Sequence, residues 1–140
     1  MRLAIDSSVL LSIVNDEPEA ERWMDALVRA RRQGQLVICE VVYAELAPAF
    51  ETRASLDETL SDLGARLDPV AADSAWLAGQ TFRRYRRDGG PREHLIPDFL
   101  IAAHARVQAD RLAASDRGYL RRYFPDLPLL APRPEAPAEE

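Results

Sequence analysis

The stretch Leu3-Ala4-Ile5-Asp6-Ser7-Ser8-Val9-Leu10-Leu11-Ser12-Ile13-Val14 decides the fold. Leu3 to Ile5 is a short uninterrupted apolar run, which reads as a strand. Beyond Asp6-Ser7-Ser8, the apolar residues Val9, Leu10, Ile13 and Val14 recur at helical spacing. A strand that passes straight into a helix is the opening of an α/β unit. The rest of the chain repeats the alternation.

Glu17 to Arg32 places Ala20, Trp23, Met24, Leu27 and Val28 on one helical face, and Gly34 supplies a stop. Leu36 to Cys39 reads as a second strand. Val41 to Phe50 is helical by pattern, with Pro48 expected to limit its second half. Leu56, Leu60 and Leu63 mark another short helix, and a brief strand is expected within Arg66 to Val70. Ala72 to Arg87 reads as a long helix with Ala75, Trp76, Gly79 and Phe82 inward, stopped by Gly89-Gly90-Pro91. Pro97 opens a helix through Ala109, Leu112 to Ala114 is the next strand, and Leu127 to Leu130 the last. This order predicts a three-layer α/β/α sandwich with a mostly parallel sheet, occupying residues 1–131. Residues 132–140, rich in Pro, Ala and Glu, are expected to be a disordered tail.

Ligands of a parallel α/β sheet bind at the carboxyl ends of its strands. Asp6 closes the first strand and Asp116 follows the Leu112 to Ala114 strand. Each also has an ordinary explanation, because Asp is a preferred helix N-cap. Asp98 lies in the first turn of its helix, in line with Ile101, Ala102 and Ala105, so its face is apolar. Glu45 shares a face with Val41, Val42 and Ala49, which places a carboxylate in a buried stripe. An arginine partner would explain such a residue, although a half-buried ion pair gains little against desolvation.

Four converging acids would repel one another, and a divalent cation removes the conflict. Mg2+, with Mn2+ as the alternative, prefers such oxygen ligands and retains water and substrate phosphates. An ion held this way can orient water for in-line attack on a phosphodiester. Ser8, and with less weight Ser7, is placed to hold a carboxylate by its hydroxyl; capping the following helix is the competing role.

All 18 residues counted as Lys and Arg are Arg. The absence of lysine excludes Schiff-base chemistry and the lysine of a phosphate-binding loop. It also disfavours phospho-acceptor receivers, which need a lysine beside the acyl-phosphate, and Asp6-Ser7-Ser8 lacks the second Asp of haloacid-dehalogenase-like phosphatases. No Gly-x-Ser-x-Gly elbow accompanies the serines. His104 falls about 240° around the helix from Asp98 at 100° per residue, which fits a structural or surface histidine. The single Cys39 permits no intramolecular disulfide, and a reducing compartment is expected. No apolar run approaches a bilayer span and no signal-peptide pattern opens the chain, so a cytoplasmic location is expected.

Asp6-Ser7-Ser8-Val9-Leu10-Leu11, Tyr43-Ala44-Glu45-Leu46, Pro97-Asp98-Phe99-Leu100-Ile101-Ala102-Ala103-His104-Ala105 and Ser115-Asp116-Arg117-Gly118-Tyr119 resemble, in order, the four acidic motifs of PIN-domain nucleases. The similarity is nearest to VapC-type toxins of toxin-antitoxin modules and runs from Met1 to about Leu130. It implies a Mg2+-dependent endoribonuclease acting on RNA, a homodimer, and a cognate antitoxin whose C-terminal segment occupies the cleft. On the matching positions, it implies that Asp6, Asp98 and Asp116 are metal ligands, directly or through water, with Glu45 completing the catalytic acids. One departure stands out: many members carry Thr two residues before the last Asp, where this chain has Ala114. That change bears on how Asp116 is held, and it favours the alternative of a non-catalytic PIN-like module that binds RNA or protein.

The densest basic stretch, Arg83, Arg84, Arg86 and Arg87 around Tyr85, is an expected RNA-binding surface, as is Arg117 beside Asp116. A solvated helix C-terminus is the plainer account of the first four. Trp23 and Trp76 are expected in the core or at a dimer contact. The formal charge of −5 does not exclude a nucleic-acid partner. Residues 1–131 hold 17 Arg against 20 acids, and without the four proposed site carboxylates the balance becomes positive.

Overall fold

A computed structural model describes residues 1–91, 94, 96–115 and 118–132. Among the described residues the chain forms β1 (Arg2–Ile5), α1 (Ser7–Val14), α2 (Ala20–Gln33), β2 (Gln35–Ile38) and α3 (Glu40–Leu46). A 3-10 turn (Ala47–Ala49) leads to α4 (Arg53–Leu63), β3 (Ala65–Leu67), α5 (Ala72–Arg87) and α6 (Ile96–Gln108). β4 (Arg111–Ala113), α7 (Tyr119–Tyr123) and β5 (Leu129–Leu130) complete it. Pro48 ends α3 as its chemistry requires, converting the next residues into the 3-10 turn.

The strands order as β3-β2-β1-β4-β5 and every pairing is parallel. Successive crossovers run outward from β1 to β3, and the chain then returns across the sheet to β4. Because such crossovers are right-handed, the reversal places helices on both faces. The expected three-layer α/β/α sandwich is the fold. All three of Leu3, Ala4 and Ile5 are buried, as a central parallel strand covered on both faces requires.

Gly34 ends α2 for a steric reason. Its backbone is extended, but a Cβ built there would lie 1.8 Å from the Met1 carbonyl oxygen, which accepts a 2.8 Å hydrogen bond from Gln35 N. Gly64 closes α4 differently, in the left-handed region at φ 81°.

Two expected faces are corrected. In α5 the buried residues are Ser74, Ala78, Thr81 and Tyr85, one position away from the apolar set, and Trp76 is 71% exposed. Small side chains let α5 approach its partner α6 closely, and Ser74 Oγ satisfies itself by donating to Gln108 Oε1 at 2.7 Å. Trp23, by contrast, is in the core. In α3, Val42 is buried, but Glu45 and Ala49 are exposed. The helix stops at Leu46, so Ala49 no longer continues its stripe and Glu45 stands at the rim.

His104 is structural, as its angular position indicates. It is buried, and its Nε2 lies 2.9 Å from Asp68 Oδ2, which also meets Arg2 Nη2 at 3.1 Å and Gln108 Nε2 at 3.2 Å. Burial raises the Asp68 pKa, but the hydrogen bonds and charges of His104 and Arg2 outweigh it and hold the carboxyl below its ordinary value. Cys39 is buried, which pushes its thiol up and keeps it unreactive. No described helix is long and apolar enough to cross a membrane. The expected tail, apart from Pro132, lies outside the described residues.

Candidate active site

Strand order reverses between β1 and β4, so their carboxyl ends flank the crevice where this architecture binds ligands. Asp6 is the first residue beyond β1, and its backbone N–H donates to Ala113 O at 3.0 Å, fixing it against the end of β4. The residue occupies the N-cap position of α1 with extended φ and ψ, yet its carboxylate makes no capping bond. Instead Asp6 Oδ2 accepts a short hydrogen bond from Ser8 Oγ. Asp6 is only 6% exposed, although α1 does not use it as a cap.

Ser7 is turned to the other acid. Its Oγ donates to Glu45 Oε1 at 3.1 Å, linking α1 to α3 across 38 residues of sequence. Both serines therefore hold carboxylates, and neither caps the helix they open. Glu45 reaches the site from the rim of α3, which packs against both α1 and α6.

Asp98 arrives from the opposite layer. The α6 C-terminus is fastened to the start of β1, because Asp110 N donates to Arg2 O at 2.8 Å and Arg2 N donates to Asp110 Oδ2 at 2.6 Å. Asp98, in the first turn of α6, is ten residues before the last helical residue Gln108, a rise of about 15 Å. The first turn therefore lies toward the carboxyl edge, with Asp98 half-buried there. His94 is packed beside it. Its Nδ1 is 3.9 Å from Asp98 Oδ2 and its ring centroid 4.1 Å from that of Tyr119. The four-residue spacing from Asp98 was the available signal. Asp116 and Arg117 lie outside the described residues.

The basic run on α5 reaches the same edge, since α5 and α6 are antiparallel. At one end Ala71 N donates to Gln108 Oε1 at 2.8 Å, and at the other the rings of Tyr85 and Phe99 are 5.2 Å apart. Arg84 donates to Tyr123 O at 3.4 Å and lies 5.5 Å from that ring's centroid, and Arg86 donates to Gly90 O at 3.3 Å. Arg83 and Arg87 are exposed, one turn apart, and engaged by no other described residue. Within this stretch they are the guanidiniums left for an external anion.

Asp6, Glu45 and Asp98 offer only hard oxygen donors, the kind that suits Mg2+ or Mn2+. Among the described residues no three His, Cys, Asp or Glu side chains form a ready-made metal cage. Mg2+ does not require one, since one or two carboxylates supplemented by water and substrate phosphate hold it.

The fold and its acidic edge define a class: an α/β domain presenting carboxylates, with neither a glycine-rich loop nor a nucleophile elbow, at its switch point. A family model described as the PIN domain matches residues 3–125. Ribonuclease VapC10 of Mycobacterium tuberculosis is 34% identical over 111 residues, covering 79% of this chain and 80% of that protein. Ribonuclease VapC42 of the same organism is 28% identical over 116 residues, covering 79% and 87%. The crystal structure of VapBC2 from Rickettsia felis bound to a DNA fragment from their promoter shares the fold, with a TM-score of 0.73 at 17% identity, covering 95% of this chain and 100% of that chain. The chain belongs to the PIN-domain family, in its VapC branch.

Proposed function

We propose that the chain is a divalent-metal-dependent endoribonuclease toxin of the VapC type, restrained by a cognate antitoxin. The observation that carries this reading is the diversion of two consecutive serines from helix capping to holding Asp6 and Glu45 at the β1/β4 switch point. A purely structural strand-to-helix junction gains nothing from gathering carboxylates there.

Asp6, Asp98 and Asp116 would hold Mg2+ or Mn2+, with Glu45 completing the acidic set. A divalent ion bound by such groups lowers the pKa of water and stabilises the leaving oxygen of a phosphodiester. The chain's own residues do the positioning. Ser8 fixes one oxygen of Asp6, and Ser7 fixes one oxygen of Glu45. Arg83 and Arg87 meet the RNA backbone at the same edge, with Arg84 and Arg86 stiffening the helix end that carries them. Arg117 joins them from the position following Asp116.

This chain also carries a surface suited to the antitoxin. An apolar groove of about 310 Å3 lies among α1, α2, α3 and α4, lined in part by Leu10, Ile13, Met24, Val28, Leu46 and Phe50. Val28 is 41% exposed at its margin. We assign the groove to an apolar segment of the antitoxin, since the fold is shared with a VapBC complex. The catalytic unit on this reading is residues 1–131, working in the cytoplasm as a homodimer.

The test is cleavage of a structured RNA by the purified chain. Activity with Mg2+, its loss in EDTA, its return on adding Mn2+ and its absence in Asp6→Asn are expected. Binding of RNA without cleavage under all these conditions would favour the non-catalytic alternative, to which Ala114 points.

A further inference from the structure

A second charged feature lies away from the acidic site. Arg111 opens β4, and its Nε is buried with no hydrogen-bond partner. It lines a cavity of about 220 Å3 with Arg29 and Gln33 of α2 and Ala131 beyond β5. Among the described residues no carboxylate lines this cavity, and neither guanidinium has an ion-pair partner.

The neighbouring acids do not neutralise it. Asp110 adjoins Arg111, but its carboxylate accepts from Arg2 N. Asp25, one turn before Arg29, is exposed and unpaired with it. The C-terminal carbonyls of α2 contribute about half a negative charge. That leaves a net positive cavity holding two half-buried cations, a costly arrangement unless an anion completes it.

We propose that this cavity is a binding site for a single oxyanion group, a phosphate or a carboxylate. The planar guanidinium fork of Arg suits either, since each presents paired oxygens to bidentate donors. Gln33 adds a side-chain amide donor. Arg111 is in register with Leu3, three residues before Asp6, or about 10 Å along the strand. The cavity is therefore separate from the acidic edge. Free phosphate is one source of the ligand, and the chain itself is the other. Glu135 follows the cavity-lining Ala131 by four residues, within about 14 Å of extended reach, with Glu139 and Glu140 beyond.

Inorganic phosphate, titrated at constant ionic strength without divalent metal and followed by thermal unfolding, tests the proposal. Four full-length proteins are compared: the parent, Arg111→Met, Arg29→Met and the triple variant Glu135→Gln/Glu139→Gln/Glu140→Gln. A saturable rise in melting temperature that is equal in the parent and the triple variant assigns the cavity to free phosphate. A rise confined to the triple variant, or at least tenfold tighter in it, assigns the cavity to the chain's own carboxylates. Either result requires at least a tenfold weaker response when Arg111→Met or Arg29→Met is introduced into the responding protein. Arg29, on a helix flank, serves where the Arg111 variant does not fold. No response in parent or triple variant, or a response that survives the arginine substitutions, overturns the proposal.

Discussion

Replacing Asp6 by Ala separates the two roles available to a strand-end aspartate. The chain supplies its own control in Thr52, whose Oγ1 accepts from Ser55 N at 3.1 Å and caps α4. Thr52→Ala should cost about 1 kcal/mol, the usual worth of a cap. At this chain length that is about 3 °C of melting temperature. Asp6 makes no such bond; its removal takes the hydrogen-bond acceptor from Ser8 and one member from a group of like charges. Its stability change should be less than about 0.5 kcal/mol, or favourable, as is common when a functional residue is removed. Cleavage should fall about 100-fold or more, because metal-assisted stabilisation is worth several kcal/mol and each 1.36 kcal/mol is tenfold in rate. Thermal unfolding of the two variants beside an RNA cleavage assay reads both quantities. If Asp6→Ala loses as much stability as Thr52→Ala while cleaving within about threefold of the parent, Asp6 is a cap and the reasoning fails.

Ser7→Ala releases Glu45 and should lower cleavage about tenfold with the circular dichroism spectrum unchanged, a loss typical of residues that orient metal-site groups. The lowered pKa of Asp68 stabilises the folded state above the ordinary carboxyl value, and that contribution is lost as pH falls through the folded pKa. Denaturant unfolding should accordingly show the parent losing stability on acidification below about pH 4 more steeply than Asp68→Asn. Phe99 is fully buried among Phe82, Tyr85, Tyr119, Tyr123 and Phe124. Phe99→Ala should cost about 3–5 kcal/mol in the same assay. Trp76→Ala, at a side chain 71% exposed, should stay within about 0.5 kcal/mol.

The sheet and the placement of Asp6 are legible because they depend on short-range pattern. A buried run followed by Asp-Ser-Ser and a helical period leaves one reading of β1 and α1, and the same logic finds β2, β4 and α6. The inward face of α5 is not legible from hydrophobicity, since close helix packing selected Ser74 and Thr81 over Trp76. Glu45 was singled out for a reason the structure corrects, since it is exposed and not in a buried stripe. The expected stripe ends with α3, and what ties the residue to the site is a hydrogen bond to Ser7, a contact between elements that local pattern does not carry.

Long-range pairings form the rest of what the sequence hides. Asp68 and His104 are 36 residues apart, and only the folded chain shows that the histidine is committed to a structural carboxylate and unavailable for catalysis. The arginine run has the same character. Four residues look equivalent in sequence, but Arg84 and Arg86 are engaged with backbone carbonyls, while Arg83 and Arg87 are exposed and engaged by no other described residue.

On the function proposed above, carboxylates at the β1/β4 switch point hold a divalent ion that RNA cleavage requires. Calorimetric titration of Mg2+ into the parent chain and into Asp98→Asn, with cleavage measured on the same samples, tests it most directly. Saturable binding and cleavage are expected in the parent, and both should be lost in a folded Asp98→Asn. Undiminished Mg2+ binding and cleavage in that variant would contradict it.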